Sequence, residues 1–113
     1  MNRKIVSLSK NEEFKSLLSG KKITNKYSTI FFKKLSDKNF KKLNISFVTK
    51  KRIGNAVSRN KIKRRLRNIM QEALKKININ LNYSYLLIAK NTILNDKYED
   101  IKNVLFLNFK KIK

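Results

Sequence analysis

Along the chain, hydrophobic positions change their spacing several times, and each change marks an element. Phe14, Leu17 and Leu18 recur at i, i+3 and i+4 ahead of Gly20, and Ser9 followed three residues later by Glu12 has the spacing of a capping box. A short helix ended by glycine is predicted there. Beyond it, Ile23, then Ser28 to Lys34, then Leu43 to Lys50 carry β-branched and aromatic residues, with the polar stretch Ser36 to Lys42 between the last two. Two good strands and one weak one are expected. After Gly54 the apolar residues Ile62, Leu66, Ile69, Met70, Ala73 and Ile77 repeat with a period near 3.6, the mark of an amphipathic helix that Asn55 or Ser58 is placed to cap. Asn78 to Tyr83 reads as a polar connection and Tyr85 to Lys90 as a buried strand. Asn95 or Asp96 is suited to start a last helix carrying Ile101, Leu105, Phe109 and Ile112, although the run Val104 to Leu107 also suits a strand.

The predicted order is helix, two or three strands, helix, strand, helix, without repeats or a low-complexity linker. That pattern points to a small α+β sandwich. At 113 residues the chain can bury one core but not two, so residues 1–113 are read as a single domain.

Composition narrows the chemistry. Twenty-nine Lys and Arg stand against seven Asp and Glu, a formal net charge of +22, and such self-repulsion favours a polyanionic partner. A chain-wide bias toward Lys, Asn and Ile accounts for part of that excess, so the distribution of charge matters more than its sum. Without cysteine there is no disulfide framework or thiolate chemistry, and without histidine the usual neutral-pH base and zinc ligand is missing. Asp96, Glu99 and Asp100 lie close together, but acids at a helix start answer the helix dipole, and no metal site or catalytic side chain is assigned to them. The basic opening MNRKIVSLSK lacks the apolar block of a signal peptide, and the apolar run from Leu86 to Ala89 is too short for a bilayer. A cytoplasmic protein with no membrane role is expected.

The charge is concentrated. Between Lys50 and Arg67, nine of eighteen residues are basic and none is acidic: Lys50, Lys51, Arg52, Arg59, Lys61, Lys63, Arg64, Arg65 and Arg67. At about 100° per residue, Asn60, Arg64 and Arg67 fall opposite Ile62, Leu66 and Ala73, with Lys61 and Lys63 flanking them. Arg59, three residues before Ile62, leans toward the apolar side from the first turn. The free N–H groups at the start of this helix, beside Lys51 and Arg52, make a second candidate anion site.

The stretch KKRIGNAVSRNKIKRRLR resembles the signature of the bacterial ribonuclease P protein family, in which a lysine-rich strand end turns into an RNxxKRxxR helix. Arg59-Asn60, Lys63-Arg64 and Arg67 fill every named position. More weakly, Asn11 to Phe14 (NEEF), the YLLIAK strand and the final helix follow in family order. The resemblance implies an α-β-β-β-α-β-α sandwich like a domain of some ribosomal proteins, with an unusual left-handed β-α-β crossover through the basic helix.

It also implies a function. Members of this family bind a large catalytic RNA through the basic helix, which here assigns Lys50, Lys51, Arg52, Arg59, Asn60, Lys61, Lys63, Arg64 and Arg67. They hold the single-stranded 5′ leader of precursor tRNA in a cleft between the sheet and the first helix, which assigns Phe14, Leu18 and Phe32. Phosphodiester hydrolysis by this endonuclease belongs to the RNA and its Mg2+ ions, so the protein is expected to bind no cofactor and to need no protein partner. Alternation puts Phe31 and Phe32 on opposite sheet faces, and the resemblance favours Phe32 for RNA. Leu18 stands where many members carry a second aromatic, and Ser46 where a glycine is common. The alternative is a structural ribosomal protein that binds rRNA without a role in cleavage, against which the RNxxKRxxR match weighs.

Overall fold

The computed structural model describes residues 5–7, 11–34 and 42–112. Its elements are β1 (Ile5–Val6), α1 (Asn11–Leu18), β2 (Lys21–Thr24), β3 (Ser28–Lys33), β4 (Leu43–Val48), α2 (Ala56–Lys76), β5 (Ser84–Ala89) and α3 (Tyr98–Lys111), with single 3-10 turns at Lys51–Ile53 and Asn91–Leu94. The predicted α+β order is present. One strand was not anticipated: β1, two residues long, offers too few positions for alternation to register. The expected capping residue Ser9, and most of the polar stretch from Ser36, lie outside the described residues.

The strands form one mixed sheet in the order β1-β4-β5-β3-β2. β4 pairs parallel with both β1 and β5, whereas β3 pairs antiparallel with β5 and β2. Adjacent parallel strands need a crossover, and α2 supplies it between β4 and β5. Burial along β3 alternates strictly from Ser28 to Lys33, as in a strand with one covered and one half-open face. β5 is instead buried at five of its six positions, because this central strand is covered on both sides.

Ile30, Phe32, Ile45, Tyr85 and Leu87 point to one side, where they pack with Ile62, Leu66, Ile69, Met70 and Ala73 of α2 and Ile101, Leu105 and Phe109 of α3. Burying each such side chain is worth about 1.5–3 kcal/mol, so this layer dominates stability. Tyr85 is fully buried against Phe109, with ring centroids 5.2 Å apart, and its hydroxyl donates to the Asn80 carbonyl at 2.6 Å. Burial pushes the Tyr85 phenol far above its ordinary range. On the opposite side, Leu17 of α1 is buried with Leu86, and Phe14, Phe31, Val48 and Ile88 pack around them. α1 therefore adds a partial layer on the far face of the α2–α3 sandwich.

Gly20 makes the sharp passage from α1 into β2 possible. A Cβ there would stand 2.8 Å from the Phe32 carbonyl oxygen, too close for any other residue without a shift. The last helix begins at Tyr98, with Lys97 rather than Asn95 or Asp96 at the capping position. Asp96 is engaged elsewhere: its carboxylate accepts from the Tyr27 hydroxyl and pairs with Lys26 at 2.9 Å, tying the β2–β3 turn to the approach of α3. The run Val104 to Leu107 is helical, settled by the i, i+4, i+8 burial of Ile101, Leu105 and Phe109.

Candidate RNA-binding site

The basic segment starts where β4 ends. Lys50, Lys51 and Arg52 are all exposed, the latter two on the 3-10 turn, whose Ile53 is buried and anchors it to the core. Gly54 then brings the chain to Asn55, whose side chain accepts from the Ser58 backbone N–H at 2.9 Å. Asn55, not Ser58, is thus the cap, satisfying one of the free donors at the start of α2.

From that cap α2 runs 21 residues without glycine or proline, about 31 Å at 1.5 Å per residue. Its buried stripe fixes the rotation of the helix, and the rotation turns Asn60, Lys61, Lys63, Arg64 and Arg67 to solvent. Arg59 is half-buried, in keeping with its lean toward the apolar side, and so is Arg65. No acidic residue occurs from Lys50 to Gln71. The row is therefore one of cations without neutralising neighbours on their own helix, set on a rigid support.

Carboxylates are used elsewhere. Glu72, one turn beyond the basic row, pairs with Lys102 of α3 at 3.3 Å, and Lys102 also pairs with Glu99 at 3.0 Å. Hydrogen bonding to Glu99, then to Glu72, holds the Lys102 ammonium above its ordinary range despite partial burial. The Tyr98 hydroxyl donates to Glu72 at 3.4 Å, and these interactions clamp α3 against the distal half of α2.

The second group of assigned residues meets a mixed outcome. Phe14 is half-buried and Leu18 is 50% exposed, both on α1 beside the half-open sheet face. Phe32 is on the wrong side: it is 9% exposed, lies in the core under α2 and α3, and meets the Tyr83 ring edge-on at 5.3 Å. The aromatic ring on the α1 face is Phe31, half-buried against Phe14 and Leu17. Alternation separates the two rings but does not say which face α2 and α3 cover; the register does, pairing Phe32 with the buried Tyr85 and Phe31 with Leu86. Ser46 is buried on the same face as Phe31. No group of acidic residues placed to hold a metal ion is present among the described residues, and no described helix is long and apolar enough to cross a membrane.

An arginine-rich helix between two parallel strands, with a small helix and a half-open sheet on the far side, recurs in known proteins. The ribonuclease P protein of Thermotoga maritima superimposes with a TM-score of 0.80 at 21% identity, over 96% of this chain and 98% of that one, and so shares the fold. The ribonuclease P protein component of Mycoplasma mycoides subsp. mycoides is 30% identical over 112 residues, which are 99% of this chain and 98% of the relative. That of Fusobacterium nucleatum is 36% identical over 115 residues, covering 95% and 96% of the two chains. The Ribonuclease P family model matches residues 2–113, from before β1 to beyond α3, and with the RNxxKRxxR face built as described, the chain belongs to the bacterial ribonuclease P protein family.

Proposed function

We propose that this chain is the protein subunit of ribonuclease P, binding the catalytic RNA through the exposed face of α2 and the 5′ leader of precursor tRNA on the α1 side of the sheet. One observation carries the reading: Asn60, Lys61, Lys63, Arg64 and Arg67 stand together on solvent, opposite a stripe buried so completely that the helix cannot rotate away. A rigid row of cations suits a folded polyanion, since the ordering cost of a flexible basic tail is already met. The lysines and arginine of the preceding turn extend the row toward the cap.

The leader reading rests on Phe31, Phe14 and Leu18, which offer half-exposed apolar surface to unpaired bases. A base on an aromatic ring gains roughly 1–3 kcal/mol whatever its sequence. Phosphodiester hydrolysis lies with the RNA and its Mg2+ ions, and the protein contributes position and charge. The whole chain acts as one RNA-binding domain in the cytoplasm, without a cofactor or obligatory protein partner of its own.

The decisive experiment is to recover and sequence the RNA that copurifies with the native protein. The catalytic RNA is the expected result, whereas ribosomal RNA would favour a structural ribosomal protein. Replacing Arg64 and Arg67 with Ala should weaken binding and lower the log–log salt slope by about 0.7–0.9 for each phosphate no longer neutralised. A slope that does not move would remove α2 from the interface.

A further inference from the structure

The row of cations on α2 begins with a side chain that carries no charge. Val57, in the first turn, is 76% exposed, whereas Leu18, Leu94 and Leu107, the other exposed large apolar residues among those described, reach at most 58%. At about 100° per residue it falls within about 40° of Lys61 and about 20° of Arg64 around the helix axis, roughly one and two turns before them. Ala56 beside it is exposed as well, and Lys51, Arg52, Asn60 and Lys61 stand exposed before and after. A small apolar tip is thus set among cations, in a stretch without a single acid.

The folded chain gains little from valine at this place. Its side chain buries almost nothing, so it adds nothing to the core. The helix dipole favours acids in a first turn, and both other helices have them, Glu12 and Glu13 in α1 and Glu99 and Asp100 in α3. In α2 there is none. The positive end of the longest helix is left uncovered, with an apolar side chain where a carboxylate would add stability. This turn is suited to contact with something outside the chain rather than to holding its own helix.

Charge by itself does not select an RNA. Lys61 and Arg64 neutralise phosphate on any polyanion alike, and discrimination requires contact with what lies between the phosphates. The shallow minor groove of an RNA helix and the faces of unstacked bases both offer such surface, made of ribose carbons and base rings. A rigid helix that carries cations a turn apart and an apolar side chain in line with them meets both kinds of surface at once.

We infer that Val57 is a specificity-determining contact to the catalytic RNA, packing against the sugar or base of a nucleotide whose neighbouring phosphates are held by Lys61 and Arg64. This rests on the α2 reading above and adds to it a part of the affinity that salt does not screen.

The test is equilibrium binding of the full chain to ribonuclease P RNA and to an unrelated structured RNA of similar length, each across a salt series, with Arg64→Ala run in parallel. Val57→Thr exchanges a methyl for a hydroxyl at nearly the same volume. It should lower affinity for ribonuclease P RNA by about threefold to tenfold at every salt concentration, with the log–log slope unchanged and the unrelated RNA unaffected. Val57→Lys should tighten the unrelated RNA and steepen its slope by about 0.7–0.9, while weakening ribonuclease P RNA. A row that works by charge alone gives the opposite: Thr is silent and Lys tightens both RNAs, and either result overturns the Val57 contact. Thermal midpoints of both variants should match that of the unaltered protein, and a midpoint lowered in step with affinity overturns the contact too, because Val57 would then be structural. If Arg64→Ala lowers the slope and the Val57 variants do nothing, this contact alone falls. If Arg64→Ala leaves the slope where it was, the α2 reading falls and the Val57 contact with it.

Discussion

The two faces of the sheet are built from the same strands yet do opposite things. On one, Ile30, Phe32, Ile45, Tyr85 and Leu87 disappear under α2 and α3. On the other, the eight-residue α1 covers only part of the surface, leaving Phe31, Val48 and Ile88 half-buried beside lysines and threonines. Adjacent phenylalanines on β3 therefore have different physical roles. Full burial makes a ring a source of stability, and half burial keeps it available to a ligand.

The sharpest way to break this comparison is to truncate both rings. Phe32→Ala should cost about 3–5 kcal/mol of unfolding free energy in urea, as for a large core residue. Phe31→Ala should cost less, about 2 kcal/mol, because its ring is only partly buried beneath the short α1. Affinity for leader-bearing precursor over mature tRNA should show the reverse order, dropping for Phe31→Ala and not for a folded Phe32→Leu variant. Equal stability losses for the two Ala variants would erase the distinction between the faces.

Gly20 is where α1 is joined to the sheet, and Gly20→Ala should destabilise by about 1–3 kcal/mol, the cost of forcing a Cβ onto the Phe32 carbonyl. Thermal unfolding would register it, and an unchanged midpoint would mean that the turn is looser than its geometry shows. A smaller effect is expected at the start of the basic helix. Asn55→Ala should cost about 1 kcal/mol, and Asn55→Asp little, since Asp also accepts from the Ser58 N–H.

The pH dependence sharpens the comparison from the β2–β3 turn, where Tyr27 of the core meets Asp96. Hydrogen bonds from Tyr27 and Lys26 hold the Asp96 carboxyl below its ordinary value of 3.8. A depressed folded pKa means that the contribution is complete above the unfolded value and is lost as pH falls below about 3.8 toward the folded one. Asp96→Asn should accordingly flatten the acid limb of stability against pH without changing the neutral-pH RNA salt slope. A change in that slope would connect the β2–β3 turn to the RNA interface.

Much of this was legible beforehand where a signal was local and repeated. The stripe from Ile62 to Ala73 and the basic residues interleaved with it follow from the helical period alone, and the structure buries the one and exposes most of the other. Signals that depend on a partner were not legible. Asp96 looked like a helix cap until Tyr27 and Lys26 came within reach from 69 and 70 residues away in sequence. β1 exists only because β4 is beside it. Nothing local marks Lys22 or Lys33; only the register places them on the same sheet face as Phe31.

By itself the sequence determined which residues share a helix face, that Phe31 and Phe32 must part, and that an uninterrupted row of cations lies opposite a buried stripe. These are properties of backbone geometry, whose periods of 3.6 and 2 act over neighbouring residues. Tertiary structure decided which sheet face the large helices cover, hence which phenylalanine is core and which is surface. Such choices depend on strand order and register, which are set by packing between segments distant in the chain and leave no periodic trace along it.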